Sequence, residues 1–483
     1  MMQFKTVIFL AGAIFFVSGC KTSQKSSDVL YHGFSRIDPV AEEVIDQSWL
    51  IVSNGRIKKV GSGVRPRGAF AAVRDMTGLY ASPGLVDAHA HITAGPHRIQ
   101  ILNGAPTVTI DSVDEITQFN ATIALAFGVT TVRNPGGDPV ANAHYDNNIK
   151  TGVWSGPEAF HAGAVIQPPP FGGNAFAYPT TDLEWNEEAR RQAELGSTYF
   201  KLYTSLSEEQ ILKGIEAAHA HGLKAIAHLD QLSWLRAIDL GIDGLEHALP
   251  TSPDLLEPAA RTMFLDQIEP NTKYLYRWFE LVDFEGPLFQ ELVKAIVESD
   301  VDLNLTLLVN DIIFNGNDME NILSQDDLQY LHPAVRKGFL EFTSLSLTGW
   351  TPEDFTRADN GMEKTLEFAR RLHEAGASIM IGTDGNGGSP ALAREMMLHS
   401  RAGISNWSIL RMVTSVAAER LGVAERVGRL TPGYEADIAF FKFNIADDVS
   451  NARHVAYIVN NGNEYAFDDL VAKSKTLTSY TVE

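Results

Sequence analysis

Two histidines, His89 and His91, are spaced in a way that could bind a metal ion. Their surroundings predict a strand, and because strand side chains alternate, both rings would point to the same side. His219 and His221 have the same spacing but lie in a predicted helix, where residues two apart point about 200° away from each other. We therefore expect the second pair to be exposed and the first pair to bind metal.

Three further residues with suitable chemistry end predicted strands. His228 and His247 each follow a short apolar run and are separated by about the length of one helix and one strand. If these strands belong to a barrel, their ends face each other at its mouth, where barrel enzymes place their active sites. Asp384 follows another apolar run, at a position that suits a catalytic carboxylate. Alternatively, His228 and His247 could be hydrogen-bonded core residues, and Asp384 could lie in an ordinary turn.

Lys201 ends a fourth predicted strand, directly after an aromatic pair. A charged amine is unfavourable at such a position unless another group pairs with it. The side chain could instead extend to water at the barrel rim. Lys201 is therefore either a surface lysine or part of the site.

Apolar strands that alternate with helical stretches follow residue 84 and predict parallel strands joined by crossover helices. The predicted strands are Gly128–Arg133, Tyr199–Tyr203, Lys224–His228, Gly244–His247, Val301–Leu308 and Ser378–Gly382. Predicted helices include Ser207–His221, with Ser207 as N-cap, and Leu232–Leu240. An acidic helical run at 310–368 could be a lid or a decoration of the rim.

A β-hairpin is predicted from Trp49 to Gly61 around Asn54-Gly55, and β-rich sequence returns from Val427. The expected fold class is α/β: a (β/α)8 TIM-like barrel with a small β-sandwich domain formed from both ends of the chain. The expected domains are a lipoprotein signal peptide at 1–19, a tether at 20–28, β-sandwich parts at 29–83 and 427–483, and the barrel at 84–426.

Composition narrows the classes of function. The chain has 483 residues, 45% of them hydrophobic and 20% charged, which is ordinary for a folded soluble protein. A net charge of -21 argues against nucleic acid as a partner, because phosphate binding needs a basic surface. Cys20 is the only cysteine, so nitrogen and oxygen atoms must hold any metal.

The first nineteen residues have the pattern of a secretion signal, with Lys5 before a short apolar run. A permanent membrane helix is the alternative, although the run is short for a bilayer. Val17-Ser-Gly-Cys resembles the bacterial lipobox, which implies that Cys20 is lipidated. With Lys21 next, the resemblance implies export and lipid anchoring in a bacterial envelope, at an outer membrane facing the periplasm.

The order His-x-His, Lys, His, His, Asp at successive strand ends resembles the amidohydrolase superfamily. Within it, the chain resembles imidazolonepropionase-like proteins and metal-dependent Xaa-Pro or Xaa-Arg dipeptidases. The likeness covers nearly the whole mature chain and rests on Pro83-Gly-Leu-Val-Asp-Ala-His-Ala-His, Gly128-Val-Thr-Thr-Val-Arg, Lys201-Leu-Tyr, Gly382-Thr-Asp and Gly433-Tyr-Glu-Ala-Asp.

The resemblance implies a centre of two divalent ions, with zinc expected and manganese, iron and cobalt as alternatives. The implied ligands are His89, His91 and Asp384 for the more buried ion, His228 and His247 for the second, and carboxylated Lys201 as the bridge. A hydroxide shared by the metals would attack an amide carbonyl, and Asp384 would carry its proton to the leaving nitrogen.

Substrate contacts are less defined. Tyr203 would share the orientation of Lys201 and could bind substrate or only pack. Arg133 could hold a substrate carboxylate or form a structural ion pair. Relatives often carry Gly-Gly-His-Gly where this chain has Gly172-Gly-Asn-Ala, so their carbonyl contact is in doubt here.

The resemblance implies a hydrolase of carbon–nitrogen bonds in a small dipeptide or N-acyl amino acid. One alternative is a cyclic amidohydrolase of imidazolonepropionase type, expected to use one metal without a lysine bridge. Another is a non-catalytic binding lipoprotein at the cell surface. The lipid anchor would be the only membrane contact, and a homo-oligomer is left open.

Overall fold

The computed structural model describes residues 27–102, 105–269, 271–318, 325–387 and 390–481. The predicted signal peptide, Cys20 and most of the predicted tether lie outside these residues. Within the described ranges, no helix is both long enough and apolar enough to cross a membrane.

Strands from both ends of the chain form one sheet, which confirms the predicted β-domain. In spatial order the strands are Asn463–Ala466, Val455–Asn460, Ile438–Phe441, Tyr80–Pro83, Val29–Asp38, Glu43–Ser53 and Arg56–Ser62, and Ala72–Asp75 also pairs with Val29–Asp38. Ile438–Phe441 runs antiparallel to Tyr80–Pro83. Phe34 from the first part meets Phe440 from the second edge to face, with ring centroids 5.4 Å apart. The two chain ends therefore share one core.

The predicted hairpin is present in this sheet. Glu43–Ser53 and Arg56–Ser62 pair antiparallel across Asn54 and Gly55. These two residues have φ values of 51° and 75°. Positive φ at both central positions gives a turn whose twist matches that of the paired strands, and Asn-Gly adopts it with little strain.

Eight parallel strands form the barrel within the described residues, as the alternating pattern predicted. In chain order they are Leu85–Asp87, Val129–Asn134, Glu158–His161, Tyr199–Leu202, Lys224–Ala227, Gly244–Glu246, Asp302–Asn304 and Ile379–Met380. Single bridges from Ala162 to Tyr199 and from Ala90 to Gly385 close the ring. The carboxyl ends of the strands consequently open on one side, where this architecture places its sites.

Helices connect the strands around the outside of the barrel. They are Asp114–Ala126, Pro139–Lys150, Asp182–Glu194, Glu208–Ala220, Trp234–Asp239, Pro258–Asp266, Tyr274–Leu281, Pro287–Glu298, Ala391–Arg401, Asn406–Met412 and Ser415–Arg420. Ser207 caps Glu208–Ala220, and its hydroxyl accepts a bond from the Gln210 backbone while the Gln210 side chain bonds back. The local cap explains why this helix was predictable.

Five short strands at the mouth were not predicted. They are His97–Leu102, Ala105–Ile110, Val165–Ile166, Phe171–Gly172 and Phe176–Ala177. The first two form a hairpin that Phe171–Gly172 extends to three strands.

The run predicted as helical at 310–368 is helical in the described residues. Its helices are Leu307–Phe314, Gln325–Leu328, Pro333–Ser346 and Pro352–Glu374.

The predicted strand Val301–Leu308 is wrong in its second half. The strand stops at Asn304, and Thr306 has a left-handed φ of 38° before the helix begins at Leu307. The Glu395 carboxylate accepts bonds from the backbone N–H groups of Leu307 and Leu308, each at 2.7 Å. This distant acid satisfies amides that would otherwise be free at a helix start, so the apolar run alone could not show the boundary.

The last helix, Phe467–Ser474, lies against the barrel rather than in the β-sheet. It packs on Asp114–Ala126, and the ring of Phe467 meets that of Phe127 with centroids 5.5 Å apart. The domain boundary at residue 427 stays a prediction.

Candidate metal centre

The rings of His89 and His91 converge on the carboxylate of Asp384. Their Nε2 atoms lie 3.0 and 3.1 Å from Asp384 Oδ1. The three residues offer ligand atoms that lie within 4.8 Å of one another. Both histidines follow the strand Leu85–Asp87 instead of lying in it, yet their rings reach the same point. The structure thus brings these three predicted ligands together.

The look-alike pair of histidines lies elsewhere. His219 is exposed, as expected, and contacts Asp243 at 2.8 Å. His221 is the C-cap of the helix Glu208–Ala220, where it is only partly exposed and its Nε2 is buried, so the expected exposure holds for His219 alone.

A glycine allows the last barrel strand to approach His89. A Cβ at Gly382 would lie 2.3 Å from the His89 backbone nitrogen and 2.5 Å from its Cβ, which no side chain could tolerate. Beyond it, the Asp384 backbone N–H donates to the His89 carbonyl at 2.8 Å, and Asp384 has a φ of 54°. Gly382-Thr-Asp is therefore the local reason that the carboxylate meets the rings.

The other nitrogen of each ring determines which atom faces Asp384. His89 Nδ1 lies 2.7 Å from Glu246 Oε2, and His91 Nδ1 lies 2.9 Å from the Gly136 carbonyl oxygen. The carbonyl and the ionised carboxylate can only accept, so each Nδ1 donates and a neutral ring presents a lone pair at Nε2. Two lone pairs and a carboxylate oxygen then face one point, and a bound cation would relieve their repulsion.

Glu246, which was not among the predicted site residues, holds His89 in place. It is 1% exposed, and Arg133 donates to both of its oxygens at 2.7 Å. Burial alone would raise the pKa of Glu246, but the Arg133 guanidinium holds that pKa well below its ordinary value. The buried carboxylate is therefore ionised and orients the His89 ring.

Strand alternation explains why Glu246 was missed. Adjacent strand residues point to opposite faces, so an inward His247 implied an outward glutamate. The strand in fact ends at Glu246, and His247 has a φ of 66°. This turn directs both side chains toward the site.

His228 and His247 pack beside His89. The ring centroids of His228 and His247 are 4.4 Å apart, and those of His89 and His247 are 4.9 Å apart. His247 Nδ1 lies 2.8 Å from Thr306 Oγ1. Burial lowers the pKa of both rings, that of His228 to about 3, so both are neutral at pH 7 and can serve as ligands.

Lys201 is buried in the wall of the same site. It is 2% exposed, and within the described part of the chain its Nζ has no hydrogen-bond partner. Burial lowers the pKa of Lys201 to about 8. The side chain therefore does not extend to water, and its amine lies near the ring of Tyr203, 5.9 Å from the centroid.

The pKa of Asp384 reflects two opposing effects. Burial would raise it, but contact with His89 holds it well below its ordinary value. The carboxylate is consequently ionised and can act as a ligand or accept a proton.

The two suggested substrate contacts differ in accessibility. Tyr203 lines the cavity above the site, and its ring packs on His228 with centroids 4.9 Å apart. Arg133 is fully buried, where it pairs with Glu246 and donates to the Ala88 carbonyl at 2.6 Å. Its guanidinium forms the structural ion pair that was the alternative to a substrate contact.

The donors present fit divalent metal ions. Neutral imidazoles and an ionised carboxylate are the ligands that zinc and related ions use. The buried amine of Lys201 is unfavourable where it lies, and carboxylation would make it an anionic oxygen donor facing the same histidines.

Comparison with known proteins agrees with this fold. The Amidohydrolase family model matches residues 324–466. An imidazolonepropionase from Sphingopyxis alaskensis is 28% identical over 248 residues, which cover 42% of this chain and 60% of that protein. A solved Xaa-Pro dipeptidase with bound methionine superposes with a TM-score of 0.65 at 17% identity, over 91% of this chain and 100% of that one. A prolidase complexed with N-methylphosphonate-L-proline gives a TM-score of 0.62 at 17% identity, over 91% and 99% of the two chains.

The predicted resemblance to the amidohydrolase superfamily is borne out by the family model and by the imidazolonepropionase. The solved structures establish the barrel with its β-domain. The chain spans about three fifths of the length of the imidazolonepropionase that it matches.

Proposed function

We propose that this chain is a metal-dependent hydrolase of carbon–nitrogen bonds that acts on a dipeptide or an N-acyl amino acid. The meeting of two imidazole Nε2 atoms and the Asp384 carboxylate at one point carries the proposal. Similarity to proteins named imidazolonepropionase and Xaa-Pro dipeptidase supports it.

In the proposed centre, two divalent ions share the histidines, the carboxylate and the lysine. His89, His91 and Asp384 would hold one ion, His228 and His247 would hold the other, and carboxylated Lys201 would be a ligand of both. A pKa of about 8 leaves part of the Lys201 amine neutral at physiological pH, and the neutral amine can form an N–C bond to carbon dioxide with release of one proton. When bound, the ions would supply a water of lowered pKa and polarise the substrate carbonyl.

Asp384 is the residue placed to move protons. Its ionised carboxylate would accept a proton from the attacking water and return it to the leaving nitrogen, because an amine leaves poorly unless it is protonated. The backbone N–H of Asp384, which donates to the His89 carbonyl at 2.8 Å, fixes the position of this residue beside the two rings. Burial raises the pKa of Tyr203, which keeps its hydroxyl protonated as a donor to substrate.

A cyclic amide of the imidazolone type is the second candidate, because the sequence similarity to an imidazolonepropionase favours it. That class is expected to use one ion without a lysine bridge. The buried, unpartnered amine of Lys201 supports the two-ion centre instead.

A turnover assay tests the proposal. Purified protein with zinc or manganese and bicarbonate is given dipeptides, N-acyl amino acids and imidazolone propionate. Asp384→Asn and Lys201→Ala should each lower kcat/KM by about 100-fold or more, because proton transfer and the bridging ligand are lost. His219→Ala, which changes the exposed look-alike histidine, should have no effect.

Two results would overturn the hydrolase proposal. One is that no compound of the panel is hydrolysed, which leaves the non-catalytic binding protein. The other is that the Asp384 and Lys201 variants keep wild-type turnover. Preference for imidazolone propionate would establish the second candidate.

We also propose that the chain is exported and lipid-anchored through Cys20, on the basis of its lipobox-like sequence. Cys20→Ser should move the protein from the membrane fraction to the soluble fraction of a Gram-negative host. Unchanged membrane fractionation of the variant would refute the anchor.

A further inference from the structure

A cavity of about 290 Å³ opens directly above the candidate metal centre. Its base contains His89, Lys201 and Asp384. A substrate that brings its amide to Asp384 must therefore place a neighbouring group in this cavity. The lining of the cavity decides what kind of group fits.

Apolar side chains from outside the barrel form most of the wall. The helical segment between the strands Asp302–Asn304 and Ile379–Met380, here called the insertion, contributes the helices Leu307–Phe314 and Pro333–Ser346. The hairpin His97–Leu102 with Ala105–Ile110 lies beside them. The lining includes Leu308, Ile312, Val335, Phe339 and Phe342. The insertion thus builds the cavity and does more than decorate the rim.

The hairpin and the insertion are in close contact. A Cβ at Gly338 would lie 2.6 Å from the His97 carbonyl oxygen, so only glycine lets this helix lie so near the hairpin. The His97 ring stacks on Phe342, with centroids 5.0 Å apart and planes inclined by 22°. These contacts fix the apolar wall in front of the metal centre.

The wall offers no positive charge to a substrate carboxylate. Among the described lining residues there is no arginine, and the only lysine is Lys201 at the base. Burial lowers the pKa of His97 to about 4, so its ring is neutral at pH 7. On neighbouring elements, Arg98 pairs with Asp111 and Arg394 pairs with Asp311.

We infer that the cavity binds an uncharged alkyl or aryl group next to the scissile amide, so the preferred substrates are amides with a large apolar substituent. This inference rests on the proposed hydrolase function. The apolar group could belong to the acyl part or to the amine part, and both would bury the same kind of surface.

Two series of substrates show whether the acyl part or the amine part occupies the cavity. In the first, the amine is glycine and the acyl chain grows from acetyl to decanoyl. In the second, the acyl group is acetyl and the amine part changes from glycine to norleucine to phenylalanine. In the series whose varied part occupies the cavity, kcat/KM should rise about fourfold for each methylene that becomes buried. N-glutarylglycine, which ends in a carboxylate, should be a poorer substrate than N-hexanoylglycine.

Phe339→Arg places a cation in the wall and tests the lining directly. It should reduce kcat/KM for the larger apolar substrates at least tenfold and narrow or reverse the preference for N-hexanoylglycine over N-glutarylglycine. Leu340→Arg is the matched control, because Leu340 follows on the same helix, is 38% exposed and does not line the cavity. It should leave the preference unchanged.

Binding gives a readout that does not depend on turnover. Octanoate should bind the metal-loaded protein more tightly than acetate in calorimetry, and Phe339→Arg should remove most of that difference. If amides are hydrolysed without any dependence on apolar size, the inference is overturned while the hydrolase proposal stands. If no amide is hydrolysed but octanoate still binds preferentially, the hydrolase proposal fails and the apolar site stands. Equal binding of octanoate and acetate overturns the inference.

Discussion

Glu246 connects the barrel core to the candidate metal centre. Its carboxylate accepts from His89 on one side and from Arg133 on the other. The three side chains come from residues far apart in sequence, and all are buried. The orientation of a ligand ring therefore depends on an ion pair that touches no substrate.

Glu246→Gln should weaken metal binding by about 10- to 100-fold, because the neutral amide no longer fixes the His89 tautomer. Calorimetric titration of metal into the folded variant measures this. The variant should also lose about 3–5 kcal/mol in the free energy of unfolding, since the Arg133 charge stays buried without its partner.

Glu208→Gln is the matched control, because Glu208 pairs with Arg236 at 2.7 Å on the exposed surface. Metal affinity and stability should hardly change in this variant. Unchanged metal affinity in Glu246→Gln would show that the ion pair has no part in positioning the ligand.

The sequence predicted the candidate metal ligands but not the groups that orient them. His89, His91 and Asp384 could be predicted from their residue types and from their positions after apolar runs, although the two histidines lie beyond the strand that was expected to contain them. The contact of His91 with the Gly136 carbonyl and the inward turn of Glu246 depend on backbone geometry. No local pattern encodes either one.

Among the elements, the strand Ile438–Phe441 joins the β-domain to the barrel through the residue before it. The Asp437 carbonyl accepts from the Gly84 backbone N–H at 2.9 Å, and its buried carboxylate accepts from the Asn461 N–H at 2.7 Å. Burial raises the pKa of Asp437 to about 7. Nearby Glu435 and Glu158 act in the same direction.

The raised pKa predicts a pH dependence of stability. Between pH 4 and 7 the folded state binds more protons at Asp437 than the unfolded state, so the contribution of this residue to the free energy of unfolding should fall as pH rises through this window. Asp437→Asn keeps an oxygen acceptor and should remove this contribution, so the variant should gain stability relative to wild type as pH rises, by up to about 3 kcal/mol at pH 8.

Urea denaturation at several pH values measures this effect. Asp469→Asn, on an exposed helix position, is the control and should keep the wild-type profile. A wild-type profile in Asp437→Asn would mean that this carboxylate titrates alike in the folded and unfolded states.

The elements themselves were predictable where their signals are local. Asn54-Gly55 predicted the hairpin of Glu43–Ser53 and Arg56–Ser62, and Ser207 predicted the start of the helix Glu208–Ala220. The end of the strand at Asn304 was not predictable, because Glu395 caps the following helix from a segment far along the chain. Among the short strands at the mouth, Phe171–Gly172 was missed because it pairs with Ala105–Ile110, which is far away in the sequence.

In the whole molecule, the barrel brings six residues from five separate segments of the chain to one mouth. Regular alternation of strands and helices made this architecture predictable, and β-rich sequence at both ends predicted the shared sheet. The position of the helix Phe467–Ser474 against the barrel did not follow from the sequence, because its apolar face fits either domain. The apolar cavity was also hidden, since its wall combines a hairpin with two helices of the insertion.

In the proposed metal centre, two divalent ions would be held at the barrel mouth, with carboxylated Lys201 as a ligand of both. Metal analysis by mass spectrometry after loading with zinc and bicarbonate counts the ions. Wild type and His219→Ala should each retain two ions per chain, and Lys201→Ala should retain no more than one. Wild type saturating at one ion or none, or Lys201→Ala retaining two, would refute the two-ion centre.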